Sequence, residues 1–529
     1  MISIRLTYNK GYKWFTEKNI YVKGYILTPD NQLLRDSDLV KYFSSIESQD
    51  DFKMKLNQAN GLFSVIIKKG EKLWAAVDNV RAFPLFYYQE GDFLAITDCP
   101  DELKTDNIPL SIDENNATIL SYTGFVTGNK TLLQNIFQII AGEFICFEKN
   151  NLTREFHTQF LTKDFFSLSR EQLKDELKKA VFKMGQNLVK ILNNRPVVIS
   201  LSAGYDSRVI AYLLKKNNYE NVFCYTYGAS NNDEKKNAEK TAKNLDFEWY
   251  FVNYDEFKEK KMNFDPVFKE YTHFSACYSA QSAEQDYYAL QKLFSINKIP
   301  KNTVFISGHS GAIAGDLVSN KMSDPSFSFV DYVMETTLAQ VFQRKKDIPI
   351  LKNEIRCLES LNEKNQYPPY LIYENWRFQE TTSKFGHNAA KIWDFFGYEY
   401  LLPLWDNELF NFFVKVPLFH KVGKNLFKET LAELFEEYNI FFKNEELYPS
   451  EKLIRKVAFR SKLKKKYPFL KMFVNIWKID RTGAKSYCKS FIKELKKAGC
   501  YRKILNISGI FSAWYLLEVR RKLRQINEL

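Results

Sequence analysis

The chain lacks paired cysteines. Its seven, Cys99, Cys146, Cys224, Cys277, Cys357, Cys488 and Cys500, are odd in number, widely scattered and never in a CxxC arrangement. That pattern excludes a disulfide framework and a zinc ribbon, and it points to a reducing, cytoplasmic compartment. Also missing is a charged start followed by an apolar run, so no signal peptide is expected. The strongest late apolar run, Ile510 to Val519, is too short to span a bilayer. No recognised nucleic-acid motif occurs, which ranks nucleic acid last among partners. What the chain does have is apolar residues, 45% of 529, enough for real cores. The length alone suggests about three domains. Its net charge of +13 is unevenly placed: Glu451 to Leu529 holds 22 Lys and Arg against 5 Asp and Glu, or +17, leaving 54 against 58, or −4, for residues 1 to 450.

The stretch Pro196 to Leu214, PVVISLSAGYDSRVIAYLL, organises the rest. Val197, Val198, Ile199 and Leu201 form a β-branched apolar run suited to a strand covered on both faces. Val209, Ile210, Leu213 and Leu214 resume at helical spacing, so the loop Ser202, Ala203, Gly204, Tyr205, Asp206, Ser207 ends where a helix begins. The first amides of a helix lack intrahelical partners and sit at the positive end of its dipole, so such a loop suits a phosphate. A carboxylate there repels phosphate unless a cation bridges them, which gives Asp206 the role of holding Mg2+ on a polyphosphate. The alternative at this point is an ordinary strand-to-helix turn with Asp206 and Ser207 as caps.

Residues 1 to 160 read as a β-rich domain, with runs at Ile2 to Leu6, Ile20 to Leu27, Leu62 to Ile67, Leu73 to Val77 and Phe93 to Ile96, and a turn at Gly91 and Asp92. The segment from Gly61 to Thr97, with Arg81 ahead of a Pro-Leu-aromatic stretch, resembles the amino-terminal glutaminase-type domain of the glutamine-hydrolysing asparagine synthetases; Gly124 to Glu143 resembles that domain's closing segment. In that family the nucleophile is a cysteine exposed as the amino terminus, its own amine acting as base. Here Ile2 stands in that position, and no cysteine precedes Cys99. An isoleucine offers neither nucleophile nor proton acceptor, so the resemblance implies a sandwich without glutamine hydrolysis.

Leu168 to Leu192 reads as a helix: Ser169 and Gln172 form a capping box, and Leu173, Leu177, Val181, Met184, Leu188 and Ile191 share one face. After the first loop come a strand at Val222 to Tyr227, a helix from Glu234 to Leu245 and a strand at Trp249 to Val252. Strands alternating with helices mean a parallel sheet, with ligands beyond the strands' carboxyl ends, near Leu201, Thr226 and Tyr227. Thr303 to Ser307 is another buried-strand pattern running into a second glycine loop, Gly308, His309, Ser310, Gly311. If the two strands are neighbours, both loops line one edge and hold a polyphosphate between them. Tight turns at Gly308 and Gly311, with a satisfied or exposed His309, are the plainer reading.

Together the loops resemble the ATP pyrophosphatase half of asparagine synthetases. Ser202 to Ser207 stands for that family's SGGxDS, Ser307 and Gly308 for the start of its SGEGxDE loop, Glu399 to Asp406 for its Pro-Phe-Leu-Asp segment, and Gly423 to Lys428 for the segment bearing its catalytic lysine. The resemblance implies ATP and Mg2+ as cofactors. Ser202, Gly204 and Ser207 would hold the departing pyrophosphate and Asp206 the metal, with Ser307 and Gly308 touching the adenylate. Lys424 would be catalytic, a fixed ammonium stabilising charge at the α-phosphate. His309 replaces the family's Glu and Ala312 its second metal-binding Asp, with Asp316 four positions on as a substitute ligand. Trp393, Phe395 and Phe396 read as core, and Asp406 as the cap of a helix starting near Asn407.

The tail interleaves clustered basics, RSKLKKKY from Arg460 and RRKLR from Arg520, with Leu470, Phe473, Ile476 and Trp477 at helical spacing. An anionic partner fits: a membrane surface, which would place the protein peripherally on the cytoplasmic side, an acidic glycan, a leader peptide or, last, nucleic acid. A helical cap with a solvated basic face is the plainer reading. The whole is an α/β chain: a degenerate glutaminase-like (Ntn-type) β-sandwich over residues 1–160, a parallel-sheet ATP pyrophosphatase domain of the adenine nucleotide α-hydrolase kind over 161–445, and a basic helical extension over 446–529. The expected activity is adenylation of a small-molecule, glycan or peptide carboxylate and attack by a substrate amine or by ammonia from a separate source. The rival expectation, favoured by Ile2, His309 and Ala312, is a catalytically silent scaffold subunit.

Overall fold

The computed structural model describes residues 1–230, 234–257, 259–309, 313–316, 318–324, 327–336, 347–359, 366–442, 484–501 and 507–528. Residues 1–156 form two facing sheets. One has the order β1 (Ile2–Arg5), β8 (Phe93–Thr97), β7 (Phe86–Glu90), β9 (Phe137–Gln138). The other runs β11 (Asn151–Phe156), β10 (Glu143–Glu148), β6 (Lys72–Val77), β5 (Phe63–Lys69), β3 (Ile20–Leu27), β2 (Trp14–Glu17), with β4 (Leu33–Arg35) pairing to β3. Alternate residues of these strands, among them Ile66, Leu73, Ala75, Leu94, Ile96 and Ile145, meet in a buried core, as two packed sheets require. The expected runs and the Gly91–Asp92 turn are all present.

The helix Arg170–Leu192 starts at the expected capping box: the Ser169 hydroxyl accepts from the Gln172 amide, and Gln172 Oε1 accepts from the Ser169 amide. It leads into a five-stranded sheet of order β14 (Glu248–Asn253), β13 (Val222–Gly228), β12 (Val197–Ser200), β15 (Val304–Ile306), β16 (Glu399–Leu401). All four pairings are parallel. β12 and β15 are direct neighbours, Val197 opposite Val304 and Ile199 opposite Ile306, so both glycine loops leave the same edge of the sheet. Trp393 and Phe395 are buried, as expected of core. Asp406 caps the helix Asn407–Lys415 by accepting from the Glu408 amide at 2.9 Å.

The sandwich and the parallel sheet are packed together. Asp406 Oδ2 also accepts from Asn60 at 2.9 Å and from Asn187 at 3.0 Å, joining the two units at the end of β16. Arg35 and Arg195 both reach Glu399, and Tyr12 donates to the Tyr400 carbonyl at 2.7 Å.

In the described part of the tail, the helix Ile507–Glu528 carries the RRKLR cluster, and three of its four basic residues meet acids of the same chain. Arg520 pairs with Glu114 at 2.7 Å, Arg521 with Glu494 and Glu518, and Lys522 with Asp101 at 2.5 Å. The RSKLKKKY cluster and Leu470, Phe473, Ile476 and Trp477 lie outside the described residues, as do Ser310, Gly311 and Ala312 of the second loop. Among the described residues, no helix is long and apolar enough to cross a membrane.

Candidate nucleotide site

The first loop closes on itself before any ligand arrives. The Ser202 amide donates to Ser207 Oγ at 3.0 Å, the two serine hydroxyls lie 3.1 Å apart, and the Gly204 amide donates to Ser202 Oγ at 3.1 Å. The helix Tyr205–Lys216 begins inside the expected loop, three residues earlier than a loop running to Ser207 implies, with Gly204 as N-cap. No side chain caps it. Asp206 and Ser207 therefore sit in the first turn and do not cap it, so the ordinary capped turn is not what is built.

Behind the loop lies a residue that the sequence reading passed over. The Arg208 side chain is fully buried, donates to the carbonyls of Ala203 and, at 3.0 Å, Ile440, and stacks between the rings of Tyr205, Phe435 and Phe442. The only signal was an arginine one step past the loop, and arginine at such a place is ordinarily a surface residue.

The second loop packs against the first. A Cβ on Gly308 would stand 2.8 Å from the backbone of Ser207, so only glycine permits this approach. Ser307 is buried, and its hydroxyl meets His309 Nδ1 at 2.6 Å. The His309 carbonyl accepts from the Trp405 indole at 3.3 Å, and the residue as a whole is exposed. Leu201 and Thr226 are buried, the Thr226 hydroxyl donating to the Leu201 carbonyl at 2.6 Å. Their side chains hold strands together, and backbone alone would meet a nucleotide there.

Lys424 is brought to the same edge from 218 positions away. Its Nζ donates to both oxygens of Asp206, at 2.8 and 2.9 Å, and to Asp316 at 3.2 Å. Gly423 and Lys424 both adopt positive φ, 70° and 65°, an unfavourable backbone for lysine that turns its side chain back beneath the loops. Burial acts to lower the Lys424 pKa, but the two carboxylates outweigh it and hold the ammonium above its ordinary value. Burial raises the Asp316 carboxyl against the opposing pull of Lys424. Ser202, Gly204, Asp206, Ser207, Gly308, Asp316 and Lys424 thus converge on one edge of the sheet. Two carboxylates with room for phosphate oxygens fit the ordinary needs of Mg2+. Among the described residues, no group of three or more His, Cys, Asp or Glu is placed to hold a metal.

Residues 186–293 match the asparagine synthase family model. The match takes in the first loop and Thr226 and ends before the second loop, Asp316 and Lys424. No curated protein matches the chain. Solved structures similar to parts of it include the NH3-dependent NAD synthetase from Campylobacter jejuni, at 17% identity over 41% of this chain and 96% of that one with a TM-score of 0.22. NMN synthetase from Francisella tularensis is 16% identical over 47% and 94%, with a TM-score of 0.18. Glutamine phosphoribosylpyrophosphate amidotransferase from B. subtilis is 9% identical over 57% and 58%, with a TM-score of 0.18.

Proposed function

We propose that the chain is an ATP-dependent ligase that activates a carboxylate as its adenylate, releases pyrophosphate and transfers the acyl group to ammonia or an amine. The observation that carries this reading is the single ammonium of Lys424 between Asp206 and Asp316, beside a glycine loop at the carboxyl edge of a parallel sheet. A structural ion pair needs no such address; in a parallel sheet this edge is where ligands bind.

The loop amides at the start of the helix Tyr205–Lys216 bind the β- and γ-phosphates, and Ser202 and Ser207, already fixed by their mutual bonds, orient them. Asp206 and Asp316 would hold Mg2+, which when bound neutralises charge on the departing pyrophosphate. Lys424, released from the carboxylates, donates to the α-phosphate oxygens where charge grows as the carboxylate attacks, an interaction stronger in the transition state than in the ground state. The backbone at Leu201, Thr226 and Ser307 positions the adenylate.

Nitrogen comes from free ammonia, from a separate glutaminase or from an amine on the substrate. In support, Cys99, the first cysteine of the chain, is buried, and burial pushes its thiol up to about 11, far from the thiolate a glutaminase needs. The carboxylate belongs to a small molecule, glycan or peptide, and the excess of basic residues in the tail would bring an anionic glycan or membrane surface near.

The test is exchange of labelled pyrophosphate into ATP with a panel of sugar acids and peptide carboxylates. Exchange that depends on one class of carboxylate and vanishes in Asp206→Ala is expected. Failure to exchange with any carboxylate, together with no binding of Mg2+-ATP, would leave the scaffold reading in its place.

A further inference from the structure

The helix Leu418–Lys421 ends at Lys421, and the chain then turns through Val422, Gly423 and Lys424 before the helix Asn425–Phe435. Lys421 donates from Nζ to Oε2 of Glu374 at 2.9 Å, and the two side chains are 0% and 1% exposed. Glu374 comes from the helix Pro369–Arg377. Around the ammonium stand the rings of Phe160, 4.7 Å away, and Tyr370, 5.9 Å away. Oε1 of Glu374 has no hydrogen-bond partner among the described residues. Burial raises the Glu374 carboxyl and lowers the Lys421 ammonium from their ordinary values, each charge opposing the shift of the other.

A pair this dry is a poor source of stability. The cost of taking two charges out of water exceeds the attraction of a single contact that leaves one carboxylate oxygen unbonded, so apolar side chains of similar volume in both places would keep the fold as stable or more so. What the pair does supply is direction, because it allows one depth and one rotation of the helix end that carries Lys421. That helix end touches the nucleotide edge on two sides. Gly315, at φ +91°, lies so close that a Cβ there would stand 2.4 Å from the Lys421 carbonyl oxygen and 2.7 Å from the Lys421 Cβ, and Asp316 follows directly. In the other direction Lys424 is three residues on, and its Nζ meets both Asp206 and Asp316. The turn between has Gly423 and Lys424 in succession at positive φ, a conformation that persists only where its surroundings hold it. Lys428 holds one side of the turn by donating to the Gly423 carbonyl at 2.9 Å, and the buried Lys421 holds the other.

We propose that Glu374 and Lys421 are positioning residues for the nucleotide site: their ion pair sets the register of the Lys424 turn against Gly315 and so keeps the Lys424 ammonium between Asp206 and Asp316. At 1% and 0% exposure neither side chain reaches a ligand, and both act through Lys424. The effect on rate rests on the ligase reading, whereas the placement of Lys424 does not. A donor that serves charge growing at the α-phosphate must be held closely, and a displacement of about 1 Å costs about 10²-fold. The loss falls on kcat rather than on KM for ATP, because the amides that bind the phosphates belong to the start of a different helix, Tyr205–Lys216. A displaced Lys424 also withdraws its ammonium from Asp206 and Asp316, which then attract a divalent ion more strongly.

The test uses the full chain carrying Glu374→Leu and Lys421→Met together, because either change alone leaves a charge buried without its partner. Thermal melting without nucleotide, in EDTA and in manganese chloride, reads where Lys424 stands. The double variant is expected to melt in EDTA within a few degrees of wild type and to rise by several degrees with manganese, the response expected of Lys424→Met and not of wild type. In pyrophosphate exchange its kcat is expected to fall at least about tenfold, with KM for ATP changed by less than about twofold. Wild-type behaviour in both assays would overturn the proposal, and so would a fall in kcat without the manganese response, which marks a merely structural effect. If the double variant does not fold, Glu374→Gln keeps the volume and offers an amide oxygen to Lys421: a severalfold fall in kcat and a smaller manganese response are expected, and wild-type values again overturn the proposal. A manganese response in the variant of a protein whose wild type exchanges no pyrophosphate sinks the ligase reading alone. Exchange by the wild type beside an unresponsive double variant sinks the positioning role alone.

Discussion

Replacing Lys424 by methionine keeps most of the side chain's length and removes one charge from between two carboxylates. At the observed 2.8 and 3.2 Å, each contact is worth about 5–6 kcal/mol at an effective dielectric of about 20. Desolvation of an ammonium whose side chain is 6% exposed offsets several kcal/mol of this. Water screens the Asp316 contact, because that side chain is 42% exposed, to the ~1 kcal/mol of a surface pair. The net loss of stability is about 2–4 kcal/mol at neutral pH. The two carboxylates left behind lose the ammonium that both of them contact and attract a divalent ion more strongly. A divalent ion at about 100 times its dissociation constant restores about 2.7 kcal/mol by mass action. Thermal melting in EDTA and in manganese chloride is the assay: Lys424→Met melts lower than wild type in EDTA and recovers with metal, while wild type barely responds. Pyrophosphate exchange falls by about 10²–10³ because the transition-state donor is gone. A variant that melts like wild type in EDTA, or that ignores manganese, would refute the idea that one lysine holds both carboxylates.

Three further outcomes follow from the geometry. Arg208→Met removes the donor to the Ala203 and Ile440 carbonyls, so ATP affinity by calorimetry drops at least about tenfold, roughly one lost charged hydrogen bond, with the fold retained; unchanged affinity would mean the loop keeps its shape unaided. Gly308→Ala drives a methyl to 2.8 Å from the Ser207 backbone and is expected to cost about 1–3 kcal/mol in melting and most of the nucleotide binding; a silent substitution would show that the loops separate freely. Glu284 and Asp286 have carboxyl pKa values raised by burial to about 7, so ionisation favours the unfolded chain. Their stabilising contribution is complete below about pH 4, where the unfolded carboxyls are also protonated, and is lost as pH rises through 7. Glu284→Gln and Asp286→Asn should therefore melt above wild type at pH 8 and converge with it near pH 4; parallel curves would contradict the burial of these groups.

Much of the fold was legible in the sequence because it is local chemistry. The capping box at Ser169 and Gln172, the β-branched run of β12 and the apolar face of the helix after it involve residues within a few turns of one another, and all appear where periodicity puts them. Asp406 as a cap was legible for the same reason. The sequence also determined that two glycine loops follow strands, and chemistry confined phosphate to such loops. Only the tertiary structure decided that those strands are neighbours, since parallel pairing is set by packing over a hundred residues of intervening chain. It also decided that Asp316 and Asp206 meet across Lys424, that Arg208 turns inward beneath the loop, and that the basic residues Arg520 to Lys522 are matched by Glu114, Glu494, Glu518 and Asp101. Charge in a sequence carries no address, because an ion pair has no periodicity. Glu284 and Asp286 were silent for the same reason: ahead of a helix they read as ordinary first-turn acids. Their surroundings, tyrosine rings from three separate elements, come into being only when the sheet is assembled.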